Sequence, residues 1–300
     1  MVVDLISLLS LLDLIITGLM MGLLLSLMGL GLTHIYGIMR IINFAHGEFY
    51  MIGGYALYYA SSLLGIPAVP ALLFAALAGF FISLFVERSL IRDTYVKKME
   101  RPDEYALIVT FALSIFFQNM ARELFGPFVR TPRPFWPGRV EFLGSAITLD
   151  RIVACIISVC AIALFYIFIK KTWTGRIWQA VAQNRAGAIA LGVNIEKTNA
   201  LAFAASGMLA ALAGALLAPV FSVYSSVGTV PQAKGFVIIV LGGMGSIGGS
   251  LVGGLIVGLI DAMISVLISP AYATTATYIL LIIFLLFRPE GLFGEKARRF

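Results

Sequence analysis

The chain has 300 residues, of which 60% are hydrophobic and 12% charged, with a mean hydropathy of +1.00 and a net charge of +6. Soluble domains usually carry about 25% charged residues, so this composition excludes a soluble globular fold. The apolar runs are continuous rather than alternating, which excludes a β-barrel; the expected fold class is an all-α polytopic membrane protein, a bundle of about 8 (7–9) transmembrane helices in one domain over 1–300.

In chain order, the first 33 residues contain no Lys or Arg. They lack the basic n-region of a cleaved signal peptide, so the first apolar run is expected to stay as a span. Three segments are polar and basic: Glu87–Tyr105 with five Lys/Arg, Lys170–Lys197 with five, and Arg288–Phe300 with four. The positive-inside rule places all three in the cytoplasm, and it accounts for the net positive charge without a nucleic-acid partner. The proline-bearing segment 126–150 and the segment 219–235 then fall outside. Counting between these anchors predicts spans at about 12–33, 41–64, 68–86, 106–124, 152–169 and 199–218. This puts the N-terminus outside and the C-terminus cytoplasmic. The remaining 236–287 must cross an odd number of times. Three short crossings or two helices with one re-entrant both fit its length.

Two stretches break the apolar pattern. "RIINFAHGEFYMIGGY" (40–55) places Arg40, Asn43, His46 and Glu48 within nine residues. As one helix, it would set Asn43, Gly47, Tyr50 and Gly54 on one face, with His46 and Glu48 on other sides. A charged group at bilayer depth costs at least about 2.5 kcal/mol, so intramembrane ionisable residues are functional candidates. Gly37, Gly47, Gly53 and Gly54 suggest a broken or tightly packed helix, as transporters use near the midplane. The second stretch, "LGGMGSIGGS" (241–250), has five glycines in ten residues and is expected to interrupt a helix. The candidate translocation-path or gating residues are Arg40, Asn43, His46, Gly47, Glu48, Tyr50, Gly242, Gly243 and Gly245. The structural alternative has Arg40 reaching to the cytoplasmic surface and Glu48 pairing with a basic group to lock helices.

Small residues recur every fourth position at Gly18/Gly22/Ser26, Ser206/Ala210/Gly214/Ala218 and Ser250/Gly254/Gly258, the pattern of close helix–helix contact in lipid. Cys155 and Cys160 stand five apart in one span, too far along a helix for a disulfide. No G-x-x-x-x-G-K-[ST] motif occurs, so no ATP site is expected in this chain. His34 and His46 are the only histidines and are not at ligand spacing, so no metal is expected.

The stretch "YGIMRIINFAHGEFYMIGGY" (36–55) strongly resembles the signature of permease subunits of branched-chain amino-acid ABC importers. "TGRIWQAVAQNRAGAIALGVN" (174–194) looks like that family's cytoplasmic loop, "IIVLGGMGSIGGSLVGGLIVGL" (238–259) its late glycine-rich segment, and "FRPEGLFGEK" (287–296) its C-terminal ending. The resemblance runs in order over essentially the whole chain. It implies a pore-forming subunit in a prokaryotic inner membrane, importing branched-chain or similar hydrophobic amino acids. The implied partners are a second, related permease (or a second copy), two cytoplasmic ATPases that hold ATP-Mg, an external solute-binding protein and the lipid bilayer. No cofactor is implied in this chain. Ile177–Leu191 can form a short amphipathic helix, set off from the preceding span at Gly175. In this family it looks like the segment that couples to the ATPase, which would involve Gly175, Arg176, Ala180, Asn184, Arg185, Ala188 and Gly192. Relatives that carry urea or short amides share the motif. A gradient-driven transporter with Glu48 and His46 as a proton relay is a further alternative.

Overall fold

A computed structural model describes residues 2–96, 100–142 and 145–294. Lys97, Lys98, Lys296, Arg298 and Arg299, which contribute to the basic-segment counts, lie outside the described residues.

The first apolar run forms α1 (Val2–Met39), six residues longer at its end than the expected span. It does not lead into a helix at residue 41. Residues 40–45 are non-helical, and α2 (His46–Tyr58) starts only at His46, continuing through a π-helical turn at Tyr59–Leu63. Pro67 precedes α3 (Ala68–Val86), where its missing N–H costs no helical hydrogen bond. A second π-helical turn (Glu87–Ile91) carries α3 into α4 (Arg92–Val96), so the helix outruns its expected end by ten residues. The next span is α5 (Pro102–Phe125), which has proline at its start and Gly126, φ 79°, just past its end.

The proline-rich segment that follows folds into an antiparallel hairpin, β1 (Arg139–Phe142) with β2 (Ser145–Thr148), paired Val140 to Ile147. Apart from an isolated bridge between Arg130 and Val223, this is the only β ladder among the described residues. The second half comprises α6 (Leu149–Lys171), α7 (Trp173–Gln183), α8 (Arg185–Ala190), α9 (Ile195–Phe221), α10 (Thr229–Gly242), α11 (Ile247–Leu267) and α12 (Pro270–Phe287). Among the described residues, seven helices are long and apolar enough to cross a membrane. The 14-residue α10 rises only about 20 Å, and α2 with its π-helical turn (46–63) about 26 Å, both short of the ~30 Å hydrocarbon core. Region 236–287 thus holds three helices, with the first starting seven residues before residue 236.

The small-residue stripes are the contact faces. Gly18, Gly22 and Ser26 of α1 lie against Gly254 and Gly258 of α11, where a methyl group at Gly22 would stand 2.8 Å from the Gly254 carbonyl oxygen. Helix α9 is buried at nearly every residue from Thr198 to Ala218, most of them alanine or glycine. Its neighbours can therefore approach closely, the van der Waals packing on which helix association in lipid depends. Large side chains such as Phe81, Phe85, Ile282 and Leu286 point outward instead. No disulfide forms: Cys155 is buried, Cys160 exposed, and both are free.

The bundle has two distinguishable ends. One, the basic end, gathers the last turn of α1, α4, the start of α5, α7, α8 and the turn after α10. The other, the hairpin end, carries β1–β2 and the start of α3.

Candidate translocation site and coupling segment

The polar stretch at 40–55 is a break that returns the chain into the bundle. Arg40 adopts φ 59°, a left-handed conformation that side chains other than glycine rarely take, and ends α1 while its N–H still bonds Tyr36 O. Asn43 then turns the chain, its Oδ1 accepting the Ala45 N–H at 2.9 Å. His46 lands with its ring against Gly31 of α1 and its Nε2 3.3 Å from Met28 O. Gly31 precedes the end of α1 by eight residues, about 12 Å, so α2 begins well inside the bundle.

A second half-helix begins beside it. From Val223, which packs on Gly54, the segment after α9 runs along α2 until Gly228 meets Gly47. A methyl group at Gly228 would overlap the Gly47 carbonyl oxygen, an approach that glycine at both positions permits. Helix α10 starts there and runs to the basic end, while α2 runs to the hairpin end. The N-terminal ends of two half-helices therefore meet inside the membrane domain. Each carries a partial positive charge from unpaired N–H groups. The Gly47 N–H is satisfied by Gln232 Oε1 of α10 at 2.6 Å.

Glu48 lies in the first turn of α2 and is 1% exposed. Its Oε1 accepts from Ser114 Oγ and Gln118 Nε2 of α5, both at 2.8 Å. The expected basic partner is replaced by these neutral donors, because α5 presents Ser114 and Gln118, one helical turn apart, toward α2. Nearby, Thr110 Oγ1 accepts the Phe44 N–H at 3.1 Å. Asn43, His46 and Glu48 each keep one polar atom buried without a protein partner: Nδ2, Nδ1 and Oε2. Tyr50 is buried where its carbonyl oxygen meets Gly214 of α9.

Arg40 is separated from this cluster. It is exposed and lines a cavity of about 280 Å³ at the basic end, together with Asp103, Tyr95 and Arg185 of the coupling segment. The two candidate groups border one cavity there, away from Glu48. The glycine cluster also falls at the basic end. Gly243 and Gly245, φ 96° and 92°, make the turn between α10 and α11, and Gly245 lies beside Gly37 in the last turns of α1. Gly242 packs on Gly249. The C-terminal segment closes over the turn, with Leu292 N bonding Leu241 O at 2.8 Å and Phe293 N bonding Gly242 O at 3.1 Å. Two stretches singled out separately in the sequence are thus one structural unit.

The coupling segment holds two helices, not one over Ile177–Leu191. Thr172 caps α7 by accepting the Gly175 N–H at 3.1 Å. Gly175 therefore lies inside the first turn of α7, packed on Ile169, and is not a break. Asn184 ends α7 and caps α8, accepting the Gly187 N–H at 2.9 Å. Gly192, φ 82°, makes the turn toward α9. Trp178, Val181 and Ala188 face inward, while Arg176, Ala180 and Asn184 face outward. Leu191, assigned to the apolar face of one helix, is instead 87% exposed because α8 ends at Ala190.

Sequence reasoning missed three features. Trp178 of α7 packs edge-on against His34 of α1 at 4.5 Å, and its indole N–H bonds Thr198 O. Arg92 pairs with Glu196, joining α4 to the start of α9. Lys234 and Asp261, the only charged residues between Lys197 and Arg288, form a largely buried ion pair. Their isolation in a long uncharged stretch was the signal that could have found them.

Residues 14–286 match the family model described as "Branched-chain amino acid transport system / permease component". The chain is 33% identical over 288 residues to the high-affinity branched-chain amino acid transport system permease protein LivH of Salmonella typhimurium, covering 93% of this chain and 94% of that one. It matches the LivH protein of Escherichia coli K12 to the same extent. It is 32% identical over 291 residues to BraD of Pseudomonas aeruginosa, covering 94% and 95% of the two chains. The chain therefore belongs to the family of permease components of branched-chain amino acid transport systems.

Proposed function

We propose that this chain is the pore-forming subunit of an ABC importer that carries branched-chain or similar hydrophobic amino acids inward, driven by ATP hydrolysis on separate subunits. The observation that carries this reading is the meeting of α2 and α10 inside the bundle, fastened by Gly47–Gln232 and by Glu48 to α5. Two half-helices that start at the same depth and leave toward opposite ends form a break at which a path can open or close. The unpartnered atoms of Asn43, His46 and Glu48 give a zwitterionic solute polar groups in an otherwise apolar setting. Gly242, Gly243 and Gly245 act at the exit turn, and Arg40 belongs to the gate at the basic end.

The basic end is cytoplasmic in this reading, with the C-terminus on that side. Two cytoplasmic ATPases, holding ATP-Mg, dock on α7 and α8 through Arg176, Arg185 and the exposed Ile189 and Leu191. A second permease completes the pore, and an external solute-binding protein delivers the substrate at the hairpin end. The chain itself supplies no catalytic group or cofactor. A proton relay through His46 and Glu48 is disfavoured because their hydrogen-bond partners are separate, Met28 for one and Ser114 with Gln118 for the other.

Reconstitution in proteoliposomes with cognate ATPases and binding protein tests the reading. Leucine uptake should require ATP and survive an uncoupler. Uptake by the chain alone, driven by a proton gradient, would overturn it.

A further inference from the structure

A cleft on the outer side of the bundle is not used by the path described above. Helices α3, α6 and α9 leave between them a groove of about 880 Å³, walled by residues such as Leu73, Phe80, Leu164, Phe168 and Met208. Within a bilayer such a groove fills with apolar chain. At the basic end it adjoins a second cavity of about 320 Å³, with Thr174, Trp178 and Leu201 lining both. This second cavity is also mainly apolar, but Asn194 and Lys197 line it, and so does Trp173, which is 75% exposed.

Charge on the segment that borders this cleft is one-sided. Segment 170–197 carries five cations and a single acid, Glu196, which Arg92 already neutralises. The groove face of α6 runs through Ile157, Cys160, Ala161, Leu164, Phe165 and Phe168, so Lys171 continues the same stripe by helical spacing. Lys170 is held over the Tyr166 ring at 6.0 Å. A molecule that fits must be apolar along the groove and anionic where it emerges. A neighbouring transmembrane helix would satisfy the first condition; a phosphate-headed acyl chain meets both.

We propose that this composite cleft binds one anionic phospholipid. An acyl chain lies between α3, α6 and α9, and the phosphate sits between Lys171 and Lys197 beside the Trp173 ring. Lysines at the membrane surface attract anionic lipid, and tryptophan favours the same layer. Trp178 forms part of the cleft wall and also packs on His34 of α1, so the lipid braces the segment that follows α6 against the bundle. This assignment depends on the chain spanning a membrane, not on its substrate or on an ATPase.

The test uses the full-length chain in mild detergent, titrated with dioleoyl-phosphatidylglycerol and, separately, dioleoyl-phosphatidylcholine, and followed by native mass spectrometry. One phosphatidylglycerol per chain should be retained at least tenfold more tightly than phosphatidylcholine. Lys171→Ala/Lys197→Ala should lose that preference while melting like wild type in lipid-free detergent. Leu164→Trp, which fills the groove and leaves both lysines, should lower retention of either lipid about tenfold. Phosphatidylglycerol brominated in its acyl chains should quench tryptophan fluorescence in wild type, and Lys171→Ala/Lys197→Ala should lower that quenching. Equal retention of the two lipids, or a preference indifferent to the lysines, would overturn the proposal. So would efficient cross-linking of Cys160 to a second permease chain in native membranes, since the groove would then be a protein interface.

Discussion

Lys234 Nζ of α10 lies 2.6 Å from Asp261 Oδ1 of α11, both side chains largely buried within the bundle. Each charge is stranded among apolar residues of its own helix, and each is the other's counter-ion. Breaking a buried pair by removing one partner costs about 3–5 kcal/mol, whereas replacing both with apolar residues of similar volume is often neutral. Lys234→Ala and Asp261→Ala should each lower the unfolding free energy by about that amount in detergent. Lys234→Met/Asp261→Leu should fall close to wild type. Additive losses in the double variant would show that the two residues do not act as a pair.

Glu48 offers a separation of folding from transport. Glu48→Ala strands the Ser114 hydroxyl and the Gln118 amide and should cost about 1–3 kcal/mol, the penalty for buried groups left unpaired. Glu48→Gln keeps an acceptor oxygen for both donors, so its stability should stay near wild type while uptake falls. The measurement is initial uptake rate normalised to folded protein in the membrane. A Glu48→Gln variant with wild-type uptake would remove Glu48 from the path.

The junction of the two half-helices leaves no room for a side chain. Gly228→Ala would bring its new methyl group against the Gly47 carbonyl, and Gly47→Ala would drive one into Gly228 and Gln232. Overpacking of this kind costs about 1–3 kcal/mol, more where backbone must move. Both variants should melt earlier and lose transport, by contrast with Gly248→Ala, around which the space is open. Similar melting of Gly228→Ala and Gly248→Ala would contradict the close approach.

Docking of the ATPase should respond to α8 and the turn that follows it. Arg185→Ala and Leu191→Asp are expected to leave insertion and melting unchanged and to reduce ATPase copurification about tenfold. Gly192→Ala forces a left-handed conformation on a residue with a Cβ, a strain of about 1–2 kcal/mol, and should weaken coupling by misplacing the start of α9. Full ATPase recovery with Leu191→Asp would move the docking surface elsewhere.

Much of this organisation was legible in the chain itself. Apolar runs long enough to cross a bilayer marked the helices, because a single continuous run can satisfy its own backbone hydrogen bonds there only as a helix. The four-residue spacing of small residues marked the contact faces, since helices touch in lipid only where side chains are short. Glycine density marked the turn after α10, and Gly37, Gly47, Gly53 and Gly54 pointed to a broken or tightly packed helix around the polar cluster. Boundaries were less legible. The ends of α1 and α3 ran past their expected limits because backbone bonding continues wherever packing supports it. Residues 41–45 stayed non-helical although their composition would have allowed a helix.

What only the tertiary structure decided is which groups meet. Glu48 faces Ser114 and Gln118 rather than a cation, Arg40 joins Arg185 at the basic end, Trp178 covers His34, and Lys234 finds Asp261. Spacing along one chain determines which face of a helix a residue occupies. The partner on that face is set by how the helices cross, and that depends on close contacts such as Gly47 with Gly228. Those contacts form between segments some 180 residues apart, and no local pattern carries them.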